Sequence, residues 1–138
     1  ISVGDSPLFL YRKGQLIRLN EEHSMRPVLA LKVLEGELTA EEAAKQPDRN
    51  HLLSALMGEQ PELVDCPAEG VPLMPGDIIL AASDGILTLD HESIRKLMED
   101  GSNKSARELA DHLLVEVLDR HARKQDNVTI AIIRVAGS

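Results

Sequence analysis

The chain has 138 residues, 23 of them acidic and 15 basic, for a formal net charge of −8, and it carries no Trp, one Tyr and one Phe. That length is one domain or part of one, and the negative balance with so few stacking rings argues against a nucleic-acid partner. A single cysteine, Cys66, excludes an internal disulfide and a thiolate cage, suits the reducing cytoplasm and is expected to be buried; no apolar run is long enough to cross a bilayer, so no membrane partner is expected.

Residues 3–11 and 16–19 read as two strands joined across Arg12-Lys13-Gly14-Gln15, with Gly14 at the turn position that needs a positive φ. Residues 28–34 are apolar at helical spacing and stop before Gly36, and Thr39 with Glu42 forms a capping box that opens a second helix. Residues 52–57 and 63–66, separated by turn-forming Gly58 and Pro61, read as strand-like. From Asp77 the pattern sharpens. Residues 78–83 are an apolar run between Pro75-Gly76-Asp77 and Asp84-Gly85, which predicts a strand covered on both faces. Asp90 caps a helix with Ile94, Leu97 and Met98 on one face and Gly101 just past its end. Ser105 and Glu108 box the start of a longer helix, with a stripe through Ala106, Leu109, Ala110, Leu113, Leu114, Val117 and Leu118. Residues 128–135, β-branched and apolar, read as a central strand. There is no internal repeat and no linker that would divide the chain.

Asp84 stands at the end of the strand 78–83, and Asp126 at the beginning of the last strand. If these strands are antiparallel neighbours, both carboxylates reach one rim of the sheet. Two such charges about 4 Å apart repel by roughly 4 kcal/mol at an effective dielectric near 20, so the pair calls for a shared proton or a cation. A hard divalent ion held by oxygens, Mg²⁺ or Mn²⁺, is the simpler solution. His23, His51, His91, His112 and His121 show no pairing at ligand spacing and are assigned surface or structural roles. Gly85 is read as the residue whose permissive backbone lets the chain turn away from Asp84. A third acid, Asp5, lies in VGDSPLFLY inside the first strand, where surface exposure and function are equally open.

Three stretches, VGDSPLFLYRKGQLIRLNEEHSM (3–25), PGDIILAASDGI (75–86) and QDNVTIAII (125–133), follow one another as in the metal-dependent serine/threonine phosphatases of type 2C, in their bacterial form. PDRNHLLSALMGE (47–59) is similar to that family's segment before its acidic middle. The resemblance covers nearly the whole chain. It implies an α+β fold, the C-terminal part of a four-layer α-β-β-α sandwich with antiparallel sheets. Residues 1–138 are then the C-terminal part of one catalytic domain whose N-terminal part is absent. It implies Asp84 and Asp126 as ligands of two Mn²⁺ or Mg²⁺ ions, and Asp5 as an aid to a further, weaker metal. The implied reaction is hydrolysis of phosphoserine or phosphothreonine in protein substrates by a water bridging the two ions, with no covalent enzyme intermediate. No nucleophilic role then falls to Cys66, Ser6 or Ser83, and Ser83 is expected to support the turn by hydrogen bonding.

The departures from the family pattern carry equal weight. Pro7 stands where many members have arginine, and the family's N-terminal Asp-Gly motif, its further acidic ligand and its phosphate-binding arginine have no counterpart here. Asp77, Asp90 and Asp100 lie in other contexts and do not replace them. The expectation is that these residues alone bind metal weakly and hydrolyse little, and that open sheet faces with an unpaired edge favour self-association. The alternative is a non-catalytic regulatory or phosphoprotein-binding module on the same scaffold. A third reading, an unrelated acidic α+β interaction domain, leaves all the acids facing solvent.

Overall fold

The computed structural model describes residues 1–120 and 126–137, so His121 and Gln125, both named above, lie outside the described residues. The chain is α+β and divides into two compact units, residues 6–20 with 70–138 and residues 1–5 with 21–69.

The larger unit is a four-stranded antiparallel sheet under two helices. Strands β1 (Leu8–Arg12) and β2 (Gln15–Arg18) form the expected hairpin. Lys13 at φ 50° and Gly14 at φ 81° make the doubly left-handed two-residue turn whose twist suits a hairpin. The first strand starts at Leu8, later than the sequence predicts. Pro7 has no N–H to give a ladder, so it sits at the strand's entry, where its carbonyl accepts the Ala82 N–H at 3.1 Å. Strand β3 (Ile78–Ala82) lies between β1 and β4 (Ile130–Arg134), giving the order β2-β1-β3-β4. The last strand, expected to be central, is therefore an edge strand among the described elements. Its apolar run serves one buried face, since Ile130 and Ile132 pack on the core while Ala131 and Ile133 are exposed.

Helix α3 (His91–Asp100) starts where Asp90 accepts the Ser93 N–H at 2.7 Å, and α4 (Ala106–Asp119) starts at the reciprocal Ser105–Glu108 box. Their Ile94, Met98, Leu109, Leu113 and Val117 close onto Phe9, Tyr11, Leu16, Ile78, Leu80 and Ala82 of one sheet face. The stripe of α4 is narrower than predicted, because its contact face runs at i, i+4 through Leu109, Leu113 and Val117 and leaves Leu114 and Leu118 exposed. Across the other face, register aligns Ile17, Leu10, Ile79 and Ile133 in one apolar row. Its inner members are buried, while Ile17 and Ile133 are 44% and 60% exposed. A sheet apolar on both faces belongs to a layered sandwich rather than to a sheet with one wet side.

The smaller unit contains α1 (Met25–Leu34) and α2 (Ala40–Lys45), capped by Ser24 and by the Thr39–Glu42 box. Pro27 falls in the first turn of α1, where a missing N–H costs nothing. Residues 52–57 and 63–66 do not form strands; they make only the isolated bridges Ser24↔Leu52 and Ser2↔Asp65. The Ser54 hydroxyl replaces a ladder there, donating to the Leu63 carbonyl at 2.9 Å and accepting its N–H at 3.0 Å. Cys66, expected to be buried, is exposed, because the chain leaves its single bridge at Asp65 without joining a buried cluster. Among the described residues no helix is long and apolar enough to cross a membrane.

Candidate metal centre

Strands β3 and β4 are antiparallel neighbours, paired from Ile78↔Arg134 to Ala82↔Ile130. Beyond the ladder the seam continues through one side chain. The Ser83 N–H donates to the Thr129 carbonyl, the Thr129 N–H donates to Ser83 Oγ, and Ser83 Oγ donates to the Asn127 carbonyl, each at 3.0 Å. Ser83 therefore holds residues 127–129 against the end of β3, the supporting role expected of it. Asp84 opens a 3₁₀ turn, Asp84–Thr88, and is half-buried. Asp126, exposed, accepts the Asn127 N–H at 2.8 Å through Oδ1.

Gly85 explains how the two aspartates come to one rim, and its reason differs from the predicted one. Its φ is not in the left-handed region, so no special backbone freedom is in use. Instead, a Cβ at this position would lie 2.5 Å from the Asn127 carbonyl oxygen and 3.1 Å from that of Asp126. Only glycine admits that approach. The residue after Asp84 thus rests directly on the backbone of Asp126 and Asn127.

The rim offers two carboxylates, and neither makes an ion pair with a described residue. Hard oxygen ligands of this kind suit Mg²⁺ or Mn²⁺. Among the described residues no three His, Cys, Asp or Glu side chains are gathered where they would hold an ion. The chemistry of two carboxylates is that of hard oxygen donors, which suits a divalent cation.

Asp5 belongs to the other unit. It sits in a bend ahead of β1 and not inside the strand, because Gly4 at φ 102° breaks the extended chain before Pro7 restarts it. Other acids have structural employment. Arg12 donates to both Asp77 oxygens, at 2.8 and 2.6 Å, and the Met74 N–H donates at 2.7 Å. The Arg12 bonds, aided by the backbone N–H and opposed by burial, hold the Asp77 carboxyl down at about 2. Asp90 is lowered by the Ser93 N–H that it caps.

Two residues inside the first quoted stretch hold its backbone: Asn20, which the sequence reading missed, and His23, which fills the structural role assigned to it. Asn20 stitches the entry of β1, accepting the Leu8 N–H at 2.8 Å and donating to the Ser6 carbonyl at 2.9 Å. His23 is buried and accepts the Gly4 N–H at 3.3 Å through Nδ1. A polar residue enclosed by a motif was the only signal for either, and spacing does not reveal partners 12 or 19 positions away.

Over 134 residues the chain is 32% identical to the serine/threonine phosphatase Stp of Listeria welshimeri, a match covering 96% of this chain and 49% of that protein. The chain is similar to bacterial PPM, or type 2C, serine/threonine phosphatases. Its fold matches the PPM phosphatase MsPP of Mycobacterium smegmatis with a TM-score of 0.69 and 28% identity, over 97% of this chain and 54% of that one. It also matches the catalytic domain of the phosphatase PstP, solved with two manganese ions, with a TM-score of 0.65 and 26% identity, over 98% of this chain and 52% of that one. No family model matches. The chain spans about half the length of Stp and of both solved chains.

Proposed function

We propose that this chain is the C-terminal part of a PPM catalytic domain, and that the whole protein hydrolyses phosphoserine and phosphothreonine in protein substrates with two Mn²⁺ or Mg²⁺ ions. The observation that carries the reading is the seam at Gly85, where the backbone after Asp84 rests on that of Asp126 and Asn127. Asp84 and Asp126 are metal ligands in this reading, and Asp5 serves a further, weaker ion. When bound, such ions supply Lewis acidity, which makes water acidic enough to attack phosphorus and neutralises charge on the phosphoryl oxygens. The protein's own contribution at the seam is positional. Ser83 fixes the backbone that leads from Asp126, Gly85 permits the close approach, and the half-buried start of the 3₁₀ turn aims Asp84. Ser83 is occupied in both directions by backbone bonds, which supports leaving it out as a nucleophile.

A second reading, a regulatory or phosphoprotein-binding module, has one observation in its favour: a pair of acids rather than a cluster of three among the described residues. Mn²⁺-dependent hydrolysis of a small aryl phosphate separates the two. We expect little turnover by residues 1–138 alone, turnover by a polypeptide extended upstream, and a loss of about 10²-fold or more on Asp84→Asn in the extended form, since a metal supplies several kcal/mol of transition-state stabilisation. Inactivity of the extended form at saturating Mn²⁺ transfers the lead to the binding module. The exposed Ile17 and Ile133 on the apolar row, with the open edge of β4, support self-association of the isolated chain. A monomer at high concentration by light scattering contradicts that part.

A further inference from the structure

Residues 1–5 are held in their unit by two clamps. At the first, Ser2 and Asp65 exchange backbone bonds, 2.8 Å from Ser2 N to Asp65 O and 2.9 Å in return. At the second, His23 takes hold of Gly4 on both sides: its own N–H donates to the Gly4 carbonyl at 3.0 Å, and its Nδ1 accepts the Gly4 N–H at 3.3 Å. A ring nitrogen that accepts carries no proton, so the neutral imidazole holds its proton on Nε2, the atom 3.9 Å from the Glu21 carboxylate. The His23 side chain is 4% exposed. Gly4 itself is buried at φ 102°, a conformation that L side chains rarely adopt. Asp5 is the next residue after this fixed peptide, and it is half-buried rather than free on the surface.

We propose that His23 is a positioning residue for Asp5, gripping the Gly4 peptide through Nδ1 and through its own backbone N–H, and so setting the direction in which the Asp5 carboxylate meets a cation. The proposal rests on the reading of Asp5 as a cation ligand. Its logic is that of outer partners in metal sites, which aim a ligand without touching the ion and whose loss weakens binding about 10- to 100-fold. The ring carries both features that the role needs, an acceptor facing the peptide and near-complete burial that leaves it one orientation.

The test is a Mn²⁺ titration of the ¹⁵N-labelled chain, read as paramagnetic broadening of the Gly4 and Asp5 amide signals. The titrated forms are wild type, Asp5→Asn, His23→Gln and His23→Asn. Asparagine can place its side-chain oxygen near the position of Nδ1 and restore an acceptor for the Gly4 N–H; glutamine places its oxygen near Nε2 and does not. We expect Asp5→Asn and His23→Gln each to raise the Mn²⁺ concentration at half-broadening by about tenfold or more, and His23→Asn to recover most of the loss. Unchanged titration in Asp5→Asn overturns the ligand reading and this proposal with it. A normal response to Asp5→Asn with no effect of His23→Gln overturns the positioning role alone, as does equal loss in both His23 variants, which marks a packing role. Should both His23 variants fail to fold, the wild type is read for the grip itself: a ¹⁵N–¹⁵N coupling through the hydrogen bond from the Gly4 amide to His23 Nδ1, together with Mn²⁺ broadening at Gly4 and Asp5, supports the role, and the absence of either overturns it.

Discussion

The sheet unit and the smaller unit are stabilised by different means. Among the described residues of the sheet unit a continuous set of apolar side chains is buried, Leu80, Ile94, Leu109, Leu113 and Val117 among them without measurable exposure, and each such burial is worth roughly 1.5–3 kcal/mol. In the smaller unit the buried apolar side chain is Leu29, and beside it the buried side chains are polar: His23, Ser24 and Ser54. Its cohesion comes from backbone bonds between distant segments and from bonds of side chain to backbone, each with a net value of about 1 kcal/mol. The contrast also separates the proposed ligands. Asp84 and Asp126 stand where a packed sheet ends, whereas Asp5 follows a Gly4 held by hydrogen bonds to His23, so the proposed ligands draw on core packing in one case and on hydrogen bonds in the other.

The comparison is sharpest in cavity-forming variants. Leu113→Ala, at a site with no exposure, is expected to cost about 2–5 kcal/mol, enough to shift the main urea transition; Leu29→Ala should move that transition much less and raise amide exchange mainly in α1 and α2. Equal shifts would show that the two units unfold as one. Next is Gly85→Ala, where the new methyl meets a backbone carbonyl that cannot rotate away. Overpacking of this kind costs about 1–3 kcal/mol, and the amide signals of Asn127 and Thr129 should move with it. A neutral Gly85→Ala would mean that the seam yields freely and does not place Asp126.

Capping gives a smaller effect. Ser105→Ala and Thr39→Ala each remove one reciprocal box, a change of about 1 kcal/mol to the helix concerned. The loss should appear in global stability for α4, which buries three residues in the core, and only as local fraying for α2, which buries none. Smallest at neutral pH is the titration of Asp77. Its carboxyl is lowered from 3.8 to about 2 by Arg12, so its contribution is whole above about pH 4 and is lost as pH falls towards 2. Thermal melts should show wild type losing more stability across that interval than Asp77→Asn does; parallel curves would remove the Arg12–Asp77 pair from the account.

Elements whose own side chains bury a face were legible. The 3.6-residue spacing of α3 and α4, the unbroken run of β3, the Arg12–Gln15 turn and both capping boxes are local patterns, and each appears within a residue or two of its expected bounds. The segments 52–57 and 63–66 misled because a short apolar run does not say whether a partner strand is available. Cys66 went with them. The rim followed the same division: that Asp84 and Asp126 flank strands was visible, but the antiparallel pairing that unites them depends on register over forty or more intervening positions.

By itself the sequence determined which residues carry charge, which segments turn and which faces are apolar, because those properties depend on neighbours within a helical turn or a hairpin. Only the tertiary structure decided that Gly85 is required by a carbonyl 2.5 Å from its missing Cβ, that β4 is an edge strand among the described elements, and that Gly4 is held by a histidine 19 residues away. The physical reason is common to all three. Close contact and hydrogen-bond partnership arise between segments distant in the chain, and the loop closure that joins them leaves no periodic mark in the residues it joins.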